Sequence, residues 1–102
     1  MFFDADESCV YIMASASGTL YVGLTMDIVS RVREHKIHAF GGFTAKYRCH
    51  KLVYYEILPS LEEAREREYT IKGWIRQKKI RLLEKQNPTW CDLARFWDAR
   101  IE

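Results

Sequence analysis

The 102-residue chain is the size of one domain, with room for a single core and a single site. At 48% hydrophobic and 29% charged residues, it has neither the low hydrophobicity of a disordered chain nor an apolar run long enough to span a bilayer. A net charge of +2 does not by itself announce a nucleic-acid binder. Cys9, Cys49 and Cys91, about 40 residues apart and without a C-x-x-C, argue against a disulfide framework and a zinc site, and fit a reducing cytoplasm.

The opening stretch, MFFDADES, is acidic and lacks the basic and apolar regions of a secretion signal. Residues 1–8 are therefore expected as a short, loose leader ahead of one domain over residues 9–102. In VYIMASASGTLYVGLT two short strands flank a small-residue turn. Alternation sets Val10, Ile12 and Ala14 on one side and Tyr11 and Met13 on the other; Leu20, Val22 and Leu24 likewise oppose Tyr21 and Gly23. The apolar face is complete without either tyrosine. Both phenols share a face only if the connection has odd parity: a five-residue link, Ser15 to Thr19, or its three-residue equivalent sets Tyr11 opposite Gly23 and Met13 opposite Tyr21. Gly18 favours that geometry.

Thr25 suits an N-cap for the helix MDIVSRVREHKIH, with Ile28, Val29 and Val32 as its stripe, fraying before Gly41-Gly42. A third strand, Leu52 to Leu58, ends at Pro59, and Ser60 with Glu63 matches a capping box. The helix it opens is expected to reach about Trp74 and to continue, after a kink at Gly73, through IRQKKIRLLEK. Asn87-Pro88 interrupts the chain; Trp90, Leu93, Ala94 and Trp97 then recur at the spacing of a short amphipathic helix. The order ββαβααα predicts an α/β (α+β) sandwich, a small three-stranded antiparallel sheet flanked by helices.

Three features are not what a core selects. Leu61, Ala64, Ile71 and Ile75 form one stripe with Glu68 in its middle, and a carboxylate on a packed face needs either a cation partner or a role as metal ligand or base. Arg31 and His35 are i,i+4 neighbours, with His38 near the same line; the pair suits a solvated face or a phosphate clamp beside a proton carrier. KGWIRQKKIR gathers Lys72, Arg76, Lys78, Lys79 and Arg81. Together the residues supply a base, a phosphate clamp and a metal ligand, the inventory for cleaving a phosphodiester.

On these residues the chain resembles the GIY-YIG nuclease superfamily, named for two tripeptides on neighbouring strands. They stand here as Cys9-Val10-Tyr11-Ile12, which lacks the first glycine, and Tyr21-Val22-Gly23. TMDIVSRVREH resembles the first helix of the family, with Arg31 at its catalytic arginine and His35 where many members carry a histidine, and EAREREYTIKGW resembles the helix whose metal-binding glutamate maps onto Glu68. GGFTAKY, LVYYE and NPTWCDL resemble the small stand-alone bacterial members, and the likeness runs over roughly residues 9–95. Leu24 stands where repair members carry a lysine, which implies a different activation of the nucleophile.

The resemblance implies hydrolysis of nucleic acid, DNA first, with one Mg²⁺ or Mn²⁺ held by Glu68. Arg31 would neutralise the phosphate, Tyr11 or Tyr21 would take the proton of the attacking water, and His35 would orient a tyrosine or shuttle that proton. Lys46, Arg48, Lys72 and Arg76 would meet flanking phosphates, and Asn87 would close the site through its amide. Such contacts position a backbone without reading sequence, so the expected selection is by structure, with targeting left to a partner protein. The alternative is a nucleic-acid-binding module on the same fold without useful catalysis.

Overall fold

The computed structural model describes residues 7–37 and 46–97, and the elements below are those found among them. In chain order they are β1 (Ser8–Ala14), β2 (Leu20–Thr25), α1 (Ile28–Lys36), β3 (Lys51–Leu58), α2 (Leu61–Lys72) and α3 (Arg76–Glu84). The strands form one antiparallel sheet in the order β2-β1-β3. β1 is central and buried along its whole length, because both faces of the sheet are covered. Val10, Ile12, Ala14 and Val22 pack with Ala64 and Ile71 of α2 and Leu83 of α3. On the other face Cys9, Tyr11 and Met13 pack with Ile28 and Val32 of α1 and with Leu52 and Ala94. The face that alternation left to the tyrosines is thus a second core, and the architecture is the expected α+β sandwich.

The hairpin has the odd connection. Ser15 and Thr19 are bonded across the turn (Ser15 N–H to Thr19 O, 2.9 Å), and Gly18 takes the left-handed region at φ 94. Ala14 therefore pairs with Leu20, Met13 with Tyr21 and Tyr11 with Gly23. Between β1 and β3 the register shifts, Ile12 facing Tyr54 and Met13 facing Leu52, so Val53 is the extra residue of a β-bulge.

Several boundaries differ from the sequence expectation. Ser8 already belongs to β1, one residue earlier than the expected start of the domain; residues 1–6 lie outside the described residues, as do His38 and Gly41-Gly42. The N-cap of α1 is Asp27, whose carboxylate accepts Ser30 N–H at 3.1 Å, rather than Thr25, which instead accepts Asp27 N–H at 3.0 Å. At α2 the expected cap is present: Ser60 Oγ accepts Glu63 N–H at 3.2 Å and donates to the Glu63 carboxylate at 3.0 Å. α2 ends at Lys72, with Gly73 as C-cap. The chain then breaks rather than kinks, because Ile75 is extended, and that places Ile75 in solvent at 72% exposure instead of on the core stripe. The order ββαβααα holds, but its last member is a succession of turns at 93–97, closed by Arg95 N–H to Asp92 O and Trp97 N–H to Ala94 O.

This last segment is tied to the edge strand β3. Leu93 N–H donates to Leu52 O at 2.8 Å, and Asp92 Oδ1 accepts Leu52 N–H at 3.1 Å and Ala94 N–H at 3.0 Å. The other oxygen of Asp92 pairs with Lys36 at the end of α1, and Lys36 Nζ also donates to His50 O at 3.1 Å. One carboxylate thereby joins helix, strand and C-terminal segment.

A methyl group at position 23 would stand 2.5 Å from Tyr11 Cζ and Oη. Gly23→Ala is accordingly expected to destabilise the fold by about 1–3 kcal/mol through overpacking. Urea melts check this, and the penalty should shrink in a Tyr11→Leu background, where the ring is gone.

Candidate active site

Tyr11 is fully buried, on the α1 face of β1. A buried phenol needs a partner, since leaving it unsatisfied costs about 1–3 kcal/mol. That partner is His35, whose Nε2 lies 2.9 Å from Tyr11 Oη. His35 is presented from the last turn of α1, and at 2% exposure it is part of the packed layer rather than of a solvated face. The ring of Tyr21 closes the group: its centroid is 6.4 Å from that of Tyr11 and 5.4 Å from that of His35, with all three rings mutually tilted. Tyr21 itself is half-exposed, so it forms the solvent-facing side.

Arg31, one turn before His35, stands at the rim with its side chain 39% exposed and Nε 3.3 Å from Glu34 Oε1. Burial pushes the Tyr11 phenol well above its ordinary range and Tyr21 adds to the shift, while Arg31 opposes it by charge and by hydrogen bonding. Burial first, and then the charge of Arg31, push His35 down to about 4, so its imidazole is neutral at pH 7. Gly23 leaves room for the Tyr11 ring against the strand, and the hydroxyl is directed to His35 and not to open water. The cation beside it does not make Tyr11 acidic. Tyr11, Tyr21, Arg31 and His35, drawn from β1, β2 and α1, are thus brought together.

Glu68 stands on α2, on the opposite side of the sheet. It lies between buried Ala64 and Ile71, as the stripe required, with its side chain 24% exposed. Its partner is Lys72, Nζ to Oε2 3.3 Å, one helical turn on. Among the described residues no three His, Cys, Asp or Glu cluster to cage a metal ion. Mg²⁺ does not require a cage: it is commonly held through one or two carboxylates, keeps several waters and takes phosphate oxygens from the substrate. A half-buried carboxylate whose partner among the described residues is a flexible ammonium fits that mode of binding.

The remaining expected contacts divide. Arg76, at the start of α3, reaches the tip of the β1–β2 hairpin, its Nη2 3.1 Å from where a Cβ on Gly18 would stand. Lys46 and Arg48 are exposed, Lys46 Nζ lying 5.4 Å from the centroid of the Tyr47 ring. Lys72 is committed to Glu68. Asn87 is buried, and its amide serves the backbone: Nδ2 donates to Val53 O at 3.0 Å and Cys91 O at 2.9 Å, and Oδ1 accepts Cys91 N–H at 3.0 Å. Its expected closure of the site would need N–H groups that are already engaged. Sequence reasoning missed the Lys36–Asp92 anchor, which fixes the end of α1 just beyond His35; the two residues are 56 positions apart and no local spacing links them.

Comparison with known proteins agrees with this geometry. The model of the GIY-YIG catalytic domain matches residues 7–81. A UPF0213 protein of Staphylococcus aureus strain Mu3 and the UPF0213 protein SA0446 of strain N315 are each 38% identical to the chain over 81 residues, covering 79% of it and 99% of the relative. The solution NMR structure of the UPF0213 protein BH0048 from Bacillus halodurans superposes with a TM-score of 0.54 at 30% identity, covering 82% of this chain and 89% of that one. The matched span holds both tyrosines, Arg31, His35 and Glu68, and the chain belongs to the GIY-YIG catalytic-domain family, a family of nucleases.

Proposed function

We propose that this protein is a metal-dependent endonuclease that hydrolyses phosphodiester bonds of nucleic acid, DNA first, choosing its substrate by structure rather than by sequence. The observation that supports the reading best is the packing of Tyr11, Tyr21 and His35 in one group, with Arg31 at its rim. Two phenols, a neutral imidazole and a guanidinium are more than a core needs, and they are what proton transfer beside a phosphate uses.

The roles follow from position. Arg31, at the rim, takes the phosphate oxygens and neutralises the charge that gathers on them. Tyr21, half-exposed, orients the attacking water. Tyr21 relays the proton of that water to buried Tyr11, which passes its own to Nε2 of neutral His35, which is why His35 must stay uncharged before the reaction. The water oxygen bonds to phosphorus, the ester oxygen leaves and takes a proton from solvent, and His35 gives its extra proton back to solvent. Glu68 would hold one Mg²⁺ or Mn²⁺ from the α2 side of the edge strand β2, and such an ion, when bound, supplies Lewis-acid stabilisation of the leaving oxygen. Arg76, at the hairpin end of that strand, would meet a flanking phosphate, as would Lys46 and Arg48.

The test is a panel of supercoiled, branched and single-stranded substrates incubated with the pure protein, with and without Mg²⁺ or Mn²⁺. Metal-dependent cleavage is expected; binding to every substrate without cleavage of any would return the protein to the class of binding modules. In the same assay Glu68→Gln is expected to lose about 100-fold or more of the activity while its melting temperature stays within a few degrees of the parent. Unfolding of this variant would mark Glu68 as a structural residue. Binding to linear duplex should be weak, with Kd on the order of 10⁻⁴ to 10⁻⁶ M at physiological salt, because phosphate contacts alone carry it. Nanomolar sequence-specific binding in a gel-shift titration would contradict that.

His35 also predicts a pH dependence of stability. Its folded pKa, about 4, lies below the ordinary histidine value of 6.5 that holds in the unfolded chain. The unfolded state therefore binds the extra proton first, so the contribution is complete above about pH 6.5 and is lost as pH falls toward 4. The loss should amount to about 3 kcal/mol at most. Urea midpoints measured from pH 7 to pH 4 should fall less steeply in His35→Gln than in the parent, and parallel slopes would refute the assignment.

A further inference from the structure

The carboxylate pairs of α2 are of two kinds. Arg67 bridges α2 to β3 through Glu56, Nε to Oε1 2.6 Å, and its guanidinium lies 5.4 Å from the centroid of the Trp74 ring. That pair is short, joins two elements and is packed in place. Lys72 and Glu68 differ on each count: they sit on one helix, at 3.3 Å, and the flexible lysine side chain is 51% exposed. Their pairing joins no two elements of the fold. What it does is neutralise a carboxylate that buried Ala64 and Ile71 hold partly out of water.

We propose that Lys72 is the placeholder for the divalent cation: it neutralises Glu68 in the metal-free protein, gives up that carboxylate when the cation binds, and then turns to a phosphate of the nucleic acid. The inference rests on the assignment of Glu68 as metal ligand. Its consequence is reciprocal coupling through one side chain. A cation on Glu68 releases a positive charge for the nucleic acid, and a phosphate that draws Lys72 away clears Glu68 for the cation. Lysine suits the exchange because its ammonium is a rotatable point charge, whereas the planar guanidinium of Arg67, bonded to Glu56 on another element and set beside the Trp74 ring, is pre-organised to stay.

Two measurements test this, neither of which reads catalysis. Calorimetric titration of Mn²⁺ into the protein alone should show tighter binding in Lys72→Gln, by about two- to fivefold for loss of a half-exposed competing charge, with Lys72→Arg returning toward the parent. Binding of a branched DNA oligonucleotide with uncleavable phosphorothioate linkages, followed against salt, should then show that Mn²⁺ steepens the dependence by about one more unit of slope in the parent than in Lys72→Gln. Equal or weaker Mn²⁺ binding by Lys72→Gln overturns the proposal, and so does an identical Mn²⁺-induced change of slope in the two proteins. Glu68→Gln separates the failures. If it binds Mn²⁺ as the parent does, the metal assignment falls and the placeholder with it; if it loses Mn²⁺ while Lys72→Gln is unchanged, only the role of Lys72 falls.

Discussion

The ring of Tyr11, laid over Gly23 with its hydroxyl on His35, constrains more of this protein than any other contact. The ring fits because position 23 has no Cβ; with one, atoms would meet at 2.5 Å. It faces Gly23 because the hairpin register pairs them, and the register follows from the odd turn closed between Ser15 and Thr19. The hydroxyl, buried, must be bonded, and the group that bonds it comes from α1, 24 residues along the chain. The angular position of α1 is thereby set, and with it that of Arg31, one turn earlier on the same helix. One buried polar contact, placed by the strand register, therefore specifies the docking of a helix.

Covering both faces of a three-stranded sheet gives β1 no exposed residue, and it divides the candidate residues between two layers. Tyr11 and His35 lie on the α1 face, where packing removes them from water and holds the imidazole neutral. The carboxylate and the run of cations lie on α2 and α3. The α1 face would be the weaker layer without an anchor, since it is covered by a nine-residue helix and a segment of turns. Asp92 supplies that anchor: its two oxygens take backbone N–H groups of Leu52 and Ala94 and the ammonium of Lys36. A half-buried carboxylate so fully used positions the end of α1 next to His35 more firmly than apolar contact alone would.

What was legible in the sequence was what period and local chemistry determine. Strand alternation, the parity of the turn, the capping box at Ser60 and the carboxylate stranded between Ala64 and Ile71 are all local patterns, and each has its counterpart in the structure. The expectations that needed correction depend on choices made at a distance. Ile75 fits the helical stripe by spacing, yet the chain leaves the helix at Gly73 and turns toward the hairpin, where Arg76 meets Gly18. Asn87 looked available beside a proline, but it is consumed in fastening Cys91 to Val53. The state of Tyr11 could not be read at all, because whether a phenol beside an arginine is made acidic or not depends on how much water both have lost. Here burial outweighs the cation.

The same balance bears on how a chain of net charge +2 can engage a polyanion. Several of its cations are occupied within the protein: Arg67 on Glu56, Lys36 on Asp92, Lys72 on Glu68, Arg31 beside Glu34, and Lys78 with its Nζ 4.4 Å from the centroid of the Trp74 ring. Under the proposed reaction, a phosphate must draw such groups from partners they already have, and each exchange returns only a difference between two similar interactions. Affinity for plain duplex stays low on that account, since no single contact contributes much. Selectivity then has to come from how many of these exchanges one substrate allows at once. A backbone that can bend to meet Arg31 on one face of β2, Arg76 at its hairpin end and the α2 side together would satisfy more of them than a straight helix can, which is the physical sense in which the proposed site would read structure and not sequence.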